Sequence, residues 1–269
     1  MASLNNVEFI GNVVRNVDLH DLGNGKGVIN NALAVQREFK NANGEYDTDF
    51  IEFSVFNASA TFMSKYVAKG DTIYIQGRLE IRNYQDKNGN MQKAFGVVVE
   101  KLKLISKSKT PQEKVQEQVN DFVKASLNNV EFIGNVVRNV DLHDLGNGKG
   151  VINNAVAVQR EFKNANGEYD TDFIEFSVFN ASATFMSKYV AKGDTIYIQG
   201  RLEIRNYQDK NGNMQKAFGV VVEKLKLISK PKTPQEKVQE QVNDFVKANQ
   251  NKVVERETTN DITDDDLPF

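Results

Sequence analysis

Two stretches of the chain place rings and charges at every second position. In Tyr46–Phe56, one parity holds Phe50, Glu52, Ser54 and Phe56, and the other holds Ile51, Phe53 and Val55. In the run that begins at Thr72, Tyr74, Gln76, Arg78, Glu80, Arg82 and Tyr84 alternate with Ile73, Ile75, Gly77, Leu79 and Ile81. Side chains of an extended strand alternate between its two faces. Each stretch therefore predicts an apolar face turned to a core and a wet face mixing aromatics with charged groups. Rings set among guanidinium groups form a stacking platform for unpaired nucleobases, at roughly 1–3 kcal/mol per base, and arginine serves phosphate and ring alike. The competing explanation is that Phe50 and Phe56 are covered by a helix or a partner subunit. Phe39 has the parity of Leu33 and Val35, so it reaches the same wet face only if a β-bulge intervenes.

Cations cluster at the ends of these strands. Arg37, Lys40, Arg78, Arg82, Lys87 and Lys93 are the candidate phosphate contacts, with Lys40 at one hairpin tip and Lys87 and Lys93 flanking another loop. Singly, each lysine also reads as an ordinary solubilising charge. Other chemistry is poorly supported. The chain has no cysteine, which removes thiolate nucleophiles, disulfides and cysteine-ligated metals together. Gly23-Asn24-Gly25-Lys26-Gly27 lacks the Gly-Lys-Ser/Thr ending of a phosphate-binding loop and reads as a turn. Glu45, Asp47, Asp49 and Glu52 are the candidate acidic cluster, but no nucleophile or lone general base lies near them, and a solvated strand end is expected. Histidine occurs as His20 and His143, both expected in loops. No catalytic residue, cofactor or metal site is expected.

The elements that must position these residues read as five strands and a helix. Strands are predicted over about 5–15, 28–39, 46–56, 72–83 and 94–105, with turn signals at 21–25, at Lys40-Asn41-Ala42-Asn43-Gly44 and at Asn88-Gly89. The segment 59–67 has helical spacing with Phe62, Met63 and Tyr66 as its apolar stripe, and Gly70 is placed to end it. Five strands with a helix between the third and fourth is the order of the OB barrel. Thr110-Pro111-Gln112-Glu113 then opens an amphipathic helix by a capping box with proline at the first helical position.

Everything from Ser3 to Ala125 recurs as Ser126 to Ala248, with only Leu33/Val156 and Ser108/Pro231 differing. A repeat of this length carries its own core rather than stacking as a solenoid. The fold class expected is thus all-β: two tandem OB barrels at 1–106 and 126–229, a helical linker at 107–125, the matching helix at 230–248 and a disordered acidic tail at 249–269. The repeat duplicates the platform as Phe162, Phe173, Phe179 and Tyr207, and the cations as Arg160, Lys163, Arg201, Arg205, Lys210 and Lys216. Each copy has 16 basic and 15 acidic residues, while the tail has two and six, so the formal net charge of −2 hides weakly basic barrels and an acidic end. Asp264, Asp265, Asp266, Leu267, Pro268 and Phe269 make a compact anchor: a ring for a pocket beside acids for a basic rim. A reducing cytoplasm is the expected setting, since there is no signal pattern at the start and no apolar run of membrane-spanning length.

These residues resemble the bacterial and phage single-stranded-DNA-binding protein family. The resemblance is carried by Asn6-Val7-Glu8-Phe9-Ile10-Gly11-Asn12, Ala34-Val35-Gln36-Arg37-Glu38-Phe39, 49–56, Tyr66-Val67-Ala68-Lys69-Gly70-Asp71, 77–84 and the Asp-Asp-Asp-Leu-Pro-Phe ending. It implies base stacking by Phe39, Phe50, Phe56, Tyr84, Phe162, Phe173, Phe179 and Tyr207, and partner capture by the ending. Family members often stack on tryptophan, which this chain lacks, and most carry one barrel per chain and assemble four. Two barrels per chain therefore imply a homodimer presenting four. The other readings of the same residues are an OB module for RNA or structured nucleic acid, a protein-interaction scaffold and a metal-dependent nuclease.

Overall fold

A computed structural model describes residues 3–23, 26–85, 89, 91–108, 126–146, 149–208 and 214–231. In the first copy the strands are β1 (Leu4–Val13), β2 (His20–Gly23), β3 (Lys26–Lys40), β4 (Tyr46–Phe56), β5 (Thr72–Gln85) and β6 (Met91–Ser106), with helix α1 (Asn57–Tyr66) between β4 and β5. The second copy repeats them as β7 (Leu127–Val136), β8 (His143–Gly146), β9 (Lys149–Lys163), β10 (Tyr169–Phe179), α2 (Asn180–Tyr189), β11 (Thr195–Gln208) and β12 (Met214–Ser229). Both barrels lie in one compact unit, Met1–Ser229. Residues 109–125 of the expected linker helix, the expected helix from residue 232 onward and the acidic ending fall outside the described residues.

Each barrel closes through an antiparallel circuit with one parallel seam. β1 pairs with β5 along Val7–Asn12 and turns onto β3 at Asn12↔Ala34, while β4 meets β6 in parallel at Phe53↔Val97. β1 can serve both neighbours because Gly11 lies where a Cβ would sit 2.4 Å from the Ala34 carbonyl oxygen. Val7, Phe9, Ile29, Ile51, Phe53 and Ile75 point inward and are wholly or almost wholly buried, and their alternation with wetter residues makes each strand amphipathic. α1 caps the barrel with Ala60 and Met63.

The two barrels are one continuous sheet, because β1 pairs antiparallel with β7 from Leu4↔Ile133 to Ile10↔Leu127. The repeat-equivalent residues Val7 and Val130 face each other at the centre, so the joint is self-complementary about a local two-fold.

Several expected boundaries move. His20–Gly23, expected as the edge of a turn, forms β2 against the start of β3, and it carries no apolar signal because all four residues are exposed. The β5–β6 hairpin is longer than expected, with Asn83↔Lys93 and Tyr84↔Gln92 paired, so Lys93 is a strand residue rather than a loop residue. The stripe assigned to α1 also turns: Phe62 and Tyr66 are exposed, their rings 5.0 Å apart, and Ala60 with Met63 faces the core. Gly70 does not end the helix, which stops at Tyr66; it takes a φ of 90° in the next turn and donates its N–H to the Val13 carbonyl.

Candidate nucleic-acid interface

The parity of β4 holds. Ile51, Phe53 and Val55 are core residues, and Phe50 and Phe56 lie on the solvent side. Phe56 stays there because the next residue, Asn57, adopts a left-handed φ of 51° that swings the chain into α1. Phe39 is exposed at the irregular end of β3, but the register shift between Gln36 and Lys40 leaves Lys40, not Phe39, opposite Tyr46, so Phe39 keeps the parity of Val35. Phe39, Phe50, Phe56 and Tyr84 are 68%, 49%, 38% and 51% exposed, far from the values of core aromatics such as Phe9 and Phe53. Their copies Phe162, Phe173, Phe179 and Tyr207 are exposed likewise.

Between Phe50 and Phe56 the platform is polar and internally balanced. Glu52 accepts two hydrogen bonds from Arg15 at 2.5 and 2.8 Å, and Ser54 donates to Asn30 at 2.7 Å. Arg138 and Glu175 form the same pair in the second barrel. There a groove of about 140 Å³ runs along this face, lined by Asn153, Glu175, Ser177, Arg205 and Gly219 among others. It sits on the parallel seam of β10 and β12.

The cations divide into two groups. Lys40, Arg82 and Lys93 are exposed, as are Lys163, Arg205 and Lys216. Lys40 stands 5.4 Å from the centre of the Tyr46 ring, and Lys163 stands 5.5 Å from that of Tyr169. Arg78 is held between Glu80 and Glu100, both at 3.1 Å, and Arg201 between Glu203 and Glu223 in the same way. Arg37 is further from solvent. It grips Asp49 through two bonds of 2.8 Å, and Arg160 does the same to Asp172. The hydrogen bond to Asp49 pushes the Arg37 guanidinium still higher than its ordinary value, outweighing burial, so its charge is permanent. Asp49, expected at a solvated strand end, is instead buried. Lys87 and Lys210 fall outside the described residues.

Tyr46 and Arg15 were not among the expected site residues. Tyr46 shares the parity of Phe50 and is exposed beside Lys40, so the alternation that singled out Phe50 reaches it too. Arg15 had no such signal, because its partner Glu52 is 37 residues away.

The elements and their order define a tandem OB-barrel protein. A solved structure of the wild-type single-stranded DNA binding protein from Thermus aquaticus superposes with a TM-score of 0.61 at 22% identity, covering 87% of this chain and 97% of that one. The chain belongs to the single-strand binding protein family, whose model matches residues 4–105 and again 127–228. It is similar to single-stranded DNA-binding protein 1 of Lactococcus lactis, 35% identical over 107 residues that cover 40% of this chain and 71% of the relative. A Staphylococcus aureus single-stranded DNA-binding protein is 34% identical over 43% of this chain and 76% of its own length. Single-stranded DNA-binding protein 3 of Streptococcus agalactiae is 30% identical, and 99% of it fits within 53% of this chain.

Proposed function

We propose that this chain binds single-stranded DNA with little regard to sequence, laying unpaired bases on the outward rings of both barrels. Phe39, Phe50, Phe56 and Tyr84 are exposed on strands of one barrel, and this observation carries the reading. Large rings held in water beside cations are costly unless a flat partner covers them. Lys40, Arg82, Lys93, Lys163, Arg205 and Lys216 are the groups placed to meet phosphates, and stacking supplies most of the affinity because each barrel's formal charge nearly cancels. The protein protects exposed strands during replication, recombination and repair, and works as a binder rather than an enzyme. Asp264–Phe269 recruits partner proteins to the coated strand, and two chains associate to present four barrels in the cytoplasm; both readings draw on the family resemblance.

The test is a titration of labelled oligo-dT against duplex DNA and RNA. Phe50→Ala with Phe173→Ala should weaken oligo-dT binding about fivefold to a hundredfold, the range of one lost stack per barrel. Preference for duplex or RNA would favour a module for RNA or structured nucleic acid instead, and a loss of assembly with unchanged DNA affinity would favour the scaffold reading. Removing Asp264–Phe269 should leave oligo-dT binding intact and abolish partner capture.

A further inference from the structure

β11 pairs with β7 only from Thr195 to Gly200. Further along, Ile204 matches Phe218 of β12 on one side and pairs with no strand among the described residues on the other. An open strand edge carries backbone groups that need partners. Here the first barrel supplies them with side chains. The Ile204 N–H donates to Asp49 Oδ1 at 3.0 Å, and Arg37 Nη2 donates to the Ile204 carbonyl at 3.1 Å. One carboxylate and one guanidinium, locked to each other in a fork, thus stand in for the peptide of a neighbouring strand. The second barrel returns the contact: the Ile81 N–H donates to Asp172 at 2.9 Å, and Arg160 donates to the Ile81 carbonyl at 3.2 Å.

Two residues past Arg37, at the irregular end of β3, the Phe39 ring lies 5.9 Å from the guanidinium carbon of Arg201, a residue of the other barrel. The reciprocal pair is Phe162 and Arg78, also at 5.9 Å. Arg201 is held by Glu203 and Glu223, both at 3.1 Å, so its charge stays beside the ring rather than searching solution for a phosphate.

We propose that Arg37–Asp49 and Arg160–Asp172 are positioning pairs that dock each barrel's β3–β4 hairpin on the other barrel, so that each of the stacking sites at Phe39 and Phe162 is built from both barrels. Arg201 completes the Phe39 site and Arg78 completes the Phe162 site. The inference rests on the strand-binding reading above and reassigns Arg37 and Arg160 from phosphate contact to placement. A base stacked on Phe39 then senses the second barrel directly.

A double-mutant cycle tests this in the full chain. With Phe162, Phe173, Phe179 and Tyr207 changed to alanine, only the first barrel's stacking rings remain, and binding of an oligo-dT of about eight nucleotides, within the site size of one OB barrel, is measured. Arg201→Ala should lower affinity about twofold to fivefold while Phe39 is present and have no effect once Phe39→Ala is introduced. Arg78→Ala, in the same barrel as Phe39, should act independently of it. Equal effects of Arg201→Ala with and without Phe39, or coupling to Arg78 instead, would overturn the inference. Arg37→Lys is the second arm, since lysine keeps the charge but loses the fork. Affinity should fall, the Phe39–Arg201 coupling should vanish, and the slope of log K against log salt should stay unchanged. Retained affinity and retained coupling would mark Arg37 as a charge that lysine replaces, and so as a phosphate contact. If the unmutated chain fails to bind oligo-dT, the strand-binding reading itself is wrong; binding without cross-barrel coupling sinks only the positioning pairs.

Discussion

Asp49 is 1% exposed and Arg37 keeps 22% of its side-chain surface, so removing the carboxylate strands a guanidinium that cannot fully rehydrate. Breaking a buried pair by deleting one partner is far more damaging than replacing both, because the remaining charge is left without compensation. Asp49→Ala also opens the Ile204 N–H, which has no strand to turn to. Its expected cost is about 3 kcal/mol in urea unfolding. Arg37→Met combined with Asp49→Leu should cost less than Asp49→Ala alone. The reverse order would mean that the pair contributes little at this joint and that Arg37 is already well solvated.

At the scale of elements, the two repeat copies differ where the chain leaves each barrel. Asp71, in the turn between α1 and β5, accepts the Ser108 N–H at 2.7 Å, the Ala68 N–H at 2.9 Å and the Lys107 ammonium at 3.1 Å. Burial alone would raise its carboxyl, but these donors outweigh burial and hold it below its ordinary value of 3.8. A depressed carboxyl adds stability above its unfolded value, and that stability is lost as pH falls through the folded value, so acid below about pH 4 should loosen this turn. The residue equivalent to Ser108 is Pro231, which has no N–H to give. Asp71→Asn should therefore cost about 1.5 kcal/mol more than Asp194→Asn in thermal unfolding, the worth of one hydrogen bond to a charged group. Equal losses would show that the latch at Ser108 adds nothing. The same scale shows what the sequence made legible. The strict alternation in β4 and β5 placed the rings and the core correctly, because burial on one face imposes that period. β2 escaped because a short, fully exposed strand has no apolar face. The α1 stripe was misassigned because Phe62 and Tyr66 cover each other outside the core, and helical spacing alone does not say which face is buried. Asp49 could not be read at all: its neighbours in sequence suggest a wet strand end, and its partner Ile204 is 155 residues away.

For the whole molecule, the repeat places a self-complementary contact between two equivalent barrels within one chain. The joint has a ladder of paired residues from Leu4↔Ile133 to Ile10↔Leu127, the two reciprocal forks, and the Phe95 and Phe218 rings 4.4 Å apart. Each of these is two-fold related, as in an isologous dimer, and none uses the segment 109–125. A covalent link between the barrels raises the local concentration of one around the other, which makes pairing independent of dilution. Placing a protease site within 109–125 and cutting it should leave the halves together, migrating as one species of the uncut mass at micromolar concentration and still binding oligo-dT. On dilution the cut protein should separate while the intact chain does not, and the midpoint reads the strength of the joint without the tether. Halves that part immediately at micromolar concentration would show that the β1–β7 ladder and the forks cannot hold two barrels unaided. The composite sites at Phe39 and Phe162 would then depend on the covalent link.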